Sequence, residues 1–170
     1  EREVRQLAVD NSAMTYLNVS LIGLNGRLHP AITGVATTHQ VKKMRPHIKM
    51  LCGNYLTFEM KSNQSGGSAH CHLCLYKTES LEHLISICEK IDDMRTRIKT
   101  KMVSICNENG VKIDITKFTH KQFTQYVLDP SSMNLPKRVP LDHPVLPILF
   151  QQSRDFCYGI DQIRRKVISE

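Results

Sequence analysis

The residues with the clearest chemistry lie between Cys71 and Cys88, CHLCLYKTESLEHLISIC, which reads Cys71-x2-Cys74-x8-His83-x4-Cys88. Three thiolates and one imidazole are the soft and borderline donors that fill a tetrahedral zinc shell. The short gap between Cys71 and Cys74 lets one tight turn aim both sulfurs at a single point, and the spacing of His83 and Cys88 is typical of the closing half of such a site. Taken singly, each cysteine reads as a small buried apolar residue and His83 as an ordinary core imidazole. Four such residues inside eighteen positions point instead to one bound Zn2+. Four protein donors leave no open position for water, so the ion is expected to be structural. His70 and His72 flank Cys71 as alternative donors, but His83 makes the spacing regular.

Helices must position these ligands. Thr78, Glu79 and Ser80 form a polar helix start ahead of Leu81, Leu84 and Ile85. A straight α-helix would leave His83 and Cys88 about 140° apart, so the helix is expected to end or loosen just before Cys88. Upstream, Thr37 and Gln40 make a capping box that opens a helix with Val41, Met44, Ile48 and Leu51 on one face. Lys42, Lys43, Arg45, His47 and Lys49 fall on the other face, and Pro46 is expected to kink or split the helix. Lys61 to Ala69, KSNQSGGSA, reads as a flexible lead into the metal site.

Downstream, Met94, Ile98, Met102 and Ile105 mark the apolar stripe of another helix. Arg95 with Lys99, and Arg97 with Lys101, flank that stripe, and Asn109-Gly110 ends it. Val111 to Ile115 alternates as a short strand or an extended linker. Thr119 and Gln122 cap a short helix that stops at Pro130. Four prolines from Ser131 to Pro147 predict an extended connection, and a stripe from Ile148 to Val167 predicts a long final helix. A further helix is expected over Glu1 to Leu21. The fold class is therefore mostly α: a small helical domain around a CCHC zinc knuckle, with a long C-terminal helix. Residues 1–60, 61–108 and 109–170 divide as an N-terminal helical segment, the knuckle with its basic helix, and a C-terminal helical tail.

The chain has 170 residues and a formal net charge of +7, a balance that favours polyanionic partners, nucleic acid first. Its six cysteines fit a reducing compartment better than a secreted disulfide framework, since Cys52, Cys106 and Cys157 show no paired spacing. No signal peptide or membrane-length apolar run is visible. The chain begins at Glu1 rather than Met and is read as a piece of a longer polypeptide. No His-Glu-x-x-His, Walker loop, Gly-x-Gly-x-x-Gly or activated nucleophile is present, so no catalytic role is expected of this segment. Asp92-Asp93 reads as a solvated helix start rather than a magnesium-holding pair. Two basic clusters remain as candidate phosphate contacts: Lys42, Lys43, Arg45 and Lys49, and Arg95, Arg97, Lys99 and Lys101. Either is equally readable as a plain solvated helix face. Tyr76, between the two ligand pairs, is placed to stack on an unpaired base or to cover the metal site.

The run KMRPHIKMLCGNYLTF, then CHLC, then ESLEHLISIC with its trailing Arg-rich helix, resembles the region after the polymerase core in non-LTR (LINE-type) retrotransposon reverse transcriptases. LDPSSMNLP and LPILFQQSRDFCY also look like the C-terminal tails of such elements. The resemblance is sharpest over the zinc motif, and it carries the ligand set onto Cys71, Cys74, His83 and Cys88. It implies a larger enzyme that nicks target DNA and copies element RNA from the nick, while this segment lacks both catalytic modules. By resemblance, the segment grips template RNA or target DNA beside the polymerase core of the same polypeptide, in nucleus and cytoplasm. Two other readings stand beside it: a zinc-dependent protein-docking module, and a domesticated element-derived fragment.

Overall fold

Among the described residues the chain forms five α-helices. They are α1 (Thr38–Leu51), α2 (Phe58–Ser65), α3 (Asp92–Glu108), α4 (His120–Leu128) and α5 (Val145–Ser169). The computed structural model describes residues 16, 29–32, 37–75, 77–132, 140 and 142–169; Tyr76 and all but Tyr16 of the helix expected over 1–21 lie outside the described residues. Among the described residues the chain is mostly helical and contains no strand. Val111 to Ile115, read as a strand or linker, leads into a 3-10 turn over Ile115–Lys117.

Both expected capping boxes form. Thr37 Oγ1 accepts from the Gln40 N–H at 3.2 Å while Gln40 Oε1 accepts from the Thr37 N–H at 3.0 Å, and Thr119 with Gln122 repeats the arrangement on α4. Asp129 leaves helical geometry ahead of Pro130, as the clash of a proline ring with the preceding residue requires. Gly110, at φ +72°, follows α3 in the left-handed conformation that suits a glycine after a helix.

Three expectations are corrected. KSNQSGGSA is not all loop, because Thr57 Oγ1 accepts from the Met60 N–H and starts α2, which runs to Ser65. Pro46 does not split α1; it lies buried inside an unbroken helix, whose packing on α5 offsets the lost intrahelical bond. The long helix begins at Val145, directly after Pro144, and takes Pro147 into its first turn. The first helical N–H groups have no intrahelical acceptor, so a proline there forfeits nothing.

The core is centred on α5. Leu149, Phe150, Phe156, Cys157 and Ile160 are buried along it, and both α1 and α3 pack against it. Met50 and Leu51 from α1, Leu84 and Ile85 from the metal motif, and Met102 from α3 join the same apolar cluster. Burial of this order, at about 25 cal/mol per Å2 of apolar surface, is the main force holding the helices together. On α1 the buried side is Pro46, His47, Met50 and Leu51, while Val41 stays 48% exposed. His47 was expected among the solvated cations. It is drawn inward because its Nε2 bonds the Leu128 carbonyl at 2.8 Å, satisfying the end of α4.

His47 makes the fold sensitive to acid. Its Nδ1 has no hydrogen-bond partner among the described residues, and burial lowers its pKa to about 4, the Leu128 bond opposing only part of that shift. Unfolded, the group titrates near its ordinary value of about 6.5. Between those two values the unfolded chain binds the extra proton. Stability is therefore full above about 6.5, falls as pH drops toward 4, and loses about 3 kcal/mol from this residue. Urea denaturation of wild type and His47→Gln at neutral and acid pH checks this. The variant is less stable at neutral pH, and its further loss on acidification is smaller by that amount. An equal acid loss in both proteins contradicts the assignment.

Candidate metal centre

The turn that carries Cys71 and Cys74 is closed by backbone bonds on both sides. The Leu75 N–H donates to the Cys71 carbonyl at 2.7 Å, the Cys71 N–H to Lys77 at 2.7 Å, and the Glu79 N–H to Ala69 at 2.8 Å. A single antiparallel bridge, His70 to Thr78, makes this half a small hairpin. Leu75 sits at its tip with φ +71° and its side chain 72% exposed, a left-handed conformation that costs a leucine about 1–2 kcal/mol.

The second half solves the angular problem posed by the sequence. Ser80 Oγ accepts from the His83 N–H at 3.0 Å and opens a helical turn. The turn then widens into a π turn over His83–Ile87, and the Cys88 N–H bonds the His83 carbonyl at 2.7 Å. An i to i+5 bond needs one more residue per turn than an α-helix. It brings Cys88 nearly into line with His83, where an α-helix would splay them. Cys88 itself leaves helical geometry at φ −57°, ψ 120°.

The four side chains converge. One ligand atom from each of Cys71, Cys74, His83 and Cys88 lies within 4.8 Å of every other, and all four residues are buried. Cys71 Sγ and Cys88 Sγ are 3.9 Å apart, and Cys74 Sγ is 3.4 Å from His83 Nε2. A tetrahedron with bonds of about 2.3 Å to sulfur and 2.0–2.1 Å to nitrogen has edges of roughly 3.8 Å and 3.6 Å. The sulfurs are too far apart for disulfides, and all six cysteines are free. The arrangement fits a four-coordinate ion with no ligand position left over.

Local electrostatics prepare these groups. Backbone N–H groups of Leu73 and Cys74 reach the Cys71 sulfur, one of Lys77 reaches Cys74, and one of Lys90 reaches Cys88. The hydrogen bond between Cys71 and Cys88 raises the first thiol, with burial adding to it, and lowers the second, making Cys88 the readier thiolate. Burial raises Cys74 and lowers His83, which keeps the imidazole neutral, the form that ligates. Metal binding must displace the thiol protons.

The surroundings hold residues whose role the spacing did not reveal. Arg95 was expected on an exposed basic face, but it is buried. Its Nε donates to the Ile85 carbonyl at 3.1 Å, its other nitrogens to the Cys88 carbonyl and to Asp92 at 2.6 Å, so it closes the carbonyls freed by the π turn. Glu79 is wholly buried, and its Oε1 accepts from the Phe58 N–H at 3.0 Å and from Arg164 at 2.9 and 2.7 Å. Arg164 also donates to the Leu56 carbonyl at 2.9 Å and lies over the rings of Tyr55 and Phe58. The metal motif is thereby tied to the far end of α5. Ser86 completes the frame, its Oγ donating to the His120 carbonyl at 2.9 Å.

The other predicted contacts divide. Lys42, Arg45 and Lys49 are exposed on α1, and Arg97 and Lys101 on α3. Lys43 is held by Asp155 of α5 at 2.8 Å, and Lys99 lies over the Phe123 ring at 4.8 Å, so neither stands free as expected. The flanking histidines stay outside the cluster: His70 is exposed, and His72 stacks on Phe58 at 3.8 Å between ring centres. Asp92 and Asp93 are exposed in the first turn of α3, a solvated helix start. No helix among the described residues is long and apolar enough to cross a membrane. No family model, curated protein or solved structure matches this chain.

Proposed function

We propose that this chain is a zinc-stabilised nucleic-acid-binding region from the C-terminal part of a non-LTR retrotransposon reverse transcriptase. In that reading it grips template RNA or target DNA while the polymerase core of the same polypeptide does the copying. The observation that carries it is the pairing of a buried Cys3His cluster with exposed cations. Arg45 and Lys49 on α1 and Lys166 on α5 have no acidic partner among the described residues, in a chain of net charge +7. The donor set supports zinc, since soft thiolates with one imidazole in tetrahedral array suit it and exclude the hard cations. The ion's part is structural: it fixes the hairpin and the π turn against α3 and α5. The resemblance in the sequence supplies the family, and nicking and copying belong to the rest of that polypeptide.

Filter binding to single-stranded RNA and duplex DNA across a salt series tests the reading. Release of counterions from three to five phosphates predicts that log K falls against log salt with a slope of roughly −2 to −4. Absent or salt-independent binding contradicts the proposal and favours a protein-docking module.

A further inference from the structure

The fold assembles a basic groove that neither cluster predicted. It lies between α1 and the C-terminal half of α5, with the α1–α2 connection as its floor, and encloses about 660 Å3. Arg45 and Lys49 from α1 line it together with Lys61 from α2 and Arg165 and Lys166 from α5. Residues more than a hundred positions apart in the sequence thus share one cationic surface. The carboxylate lining it, Asp161, is already engaged, accepting from Arg165 at 2.7 Å and from the Tyr55 hydroxyl at 3.1 Å. Arg45, Lys49 and Lys166 have no ion-pair partner among the described residues. The groove is also partly apolar: Leu56 and Ile168 line it and are 44% and 41% exposed, while Tyr55 beneath them is buried.

We infer that this groove is a track for single-stranded nucleic acid, an inference that rests on the nucleic-acid reading above and locates its contact surface. Phosphates meet the unpaired cations, while sugar and base lie against the exposed Leu56 and Ile168. Single strands are held in positively charged grooves that track the backbone. A cleft of about 660 Å3 has room for nucleotide-sized groups. The face of α3 is poorer by comparison, because Arg95 and Lys99 are committed to Cys88 and Phe123, leaving Arg97 and Lys101 alone.

Two double variants with equal charge change separate the surfaces: Lys49→Glu with Lys166→Glu in the groove, and Arg97→Glu with Lys101→Glu on α3. All four side chains are exposed, and zinc content with circular dichroism confirms folding. The probes are oligouridine RNA, oligodeoxythymidine of equal length, duplex DNA and an oligoglutamate peptide, read by fluorescence anisotropy at low salt. The groove variant is expected to weaken single-strand binding about tenfold or more and to flatten the salt slope by roughly 0.7 per lost phosphate contact, with the α3 variant within about twofold of wild type. A milder Lys49→Gln with Lys166→Gln pair gives an intermediate loss. Loss on either single-strand arm supports the groove and names its occupant as RNA, DNA or both. Wild-type binding that survives the groove variant, falls equally in both variants, or prefers duplex overturns the inference and leaves the nucleic-acid reading standing. Wild-type binding of oligoglutamate alone, or of no nucleic acid, overturns both.

Discussion

Cys74→Ser is expected to release the metal ion and unfold the knuckle. The wild-type chain should carry one zinc per molecule, and the variant close to none. Cys74 Sγ is one of four converging donors, 3.4 Å from His83 Nε2, and a serine hydroxyl is a poor zinc ligand at neutral pH. The binding free energy of a structural zinc, about 10–16 kcal/mol in small domains, is largely folding free energy. Leu84 and Ile85 lie on the π turn between His83 and Cys88 and are fully buried. Their amides should exchange rapidly once the ion is lost, as hydrogen exchange will report. Cys52→Ser is the control: Cys52 is half-buried and outside the cluster, so its loss leaves zinc content unchanged. Stoichiometric zinc and unaltered exchange in Cys74→Ser would contradict the ligand assignment.

The second large effect is expected at the link between the metal motif and α5. Arg164→Ala leaves Glu79 charged, wholly buried and with a single donor, the Phe58 N–H. Removing one partner of a buried ion pair costs about 3–5 kcal/mol, because the remaining charge is uncompensated. Loss of the Arg164 stack on Tyr55 and Phe58 adds to this. A Glu79→Met, Arg164→Met double variant should recover much of the loss, since two apolar side chains of similar size need no pairing. Urea denaturation with zinc held saturating measures both. A loss below about 1 kcal/mol in Arg164→Ala would contradict the stabilising role of this buried pair.

Local signals in the sequence carried the frame well. Capping boxes at Thr37 and Thr119, the stop at Pro130 and the end of α3 before Gly110 are interactions between residues one to four apart, so the sequence holds them directly. The convergence of Cys71, Cys74, His83 and Cys88 was legible for the same reason: their spacing is itself a local constraint. Even the departure from α-helical geometry before Cys88 followed from the angle that His83 and Cys88 must close.

Long-range contacts were not legible. Arg95 and Arg97 look alike in the sequence, yet only Arg95 faces the carbonyls of the π turn. His47 falls among lysines and arginines, and only the position of Leu128 explains its burial. Glu79 and Arg164 are separated by half of the chain, and no periodicity links them. The basic groove is of the same kind, because it exists only when α5 returns alongside α1. What the sequence showed as two separate basic helices becomes one lined cleft and one depleted face.

If Cys71, Cys74, His83 and Cys88 bind one zinc ion together, X-ray absorption at the zinc edge on the purified chain will read their shell. One zinc per chain is expected, with three sulfurs at about 2.3 Å and one nitrogen at about 2.0–2.1 Å. A first shell made only of oxygen and nitrogen, or a fully folded chain that takes up no zinc, would contradict this assignment.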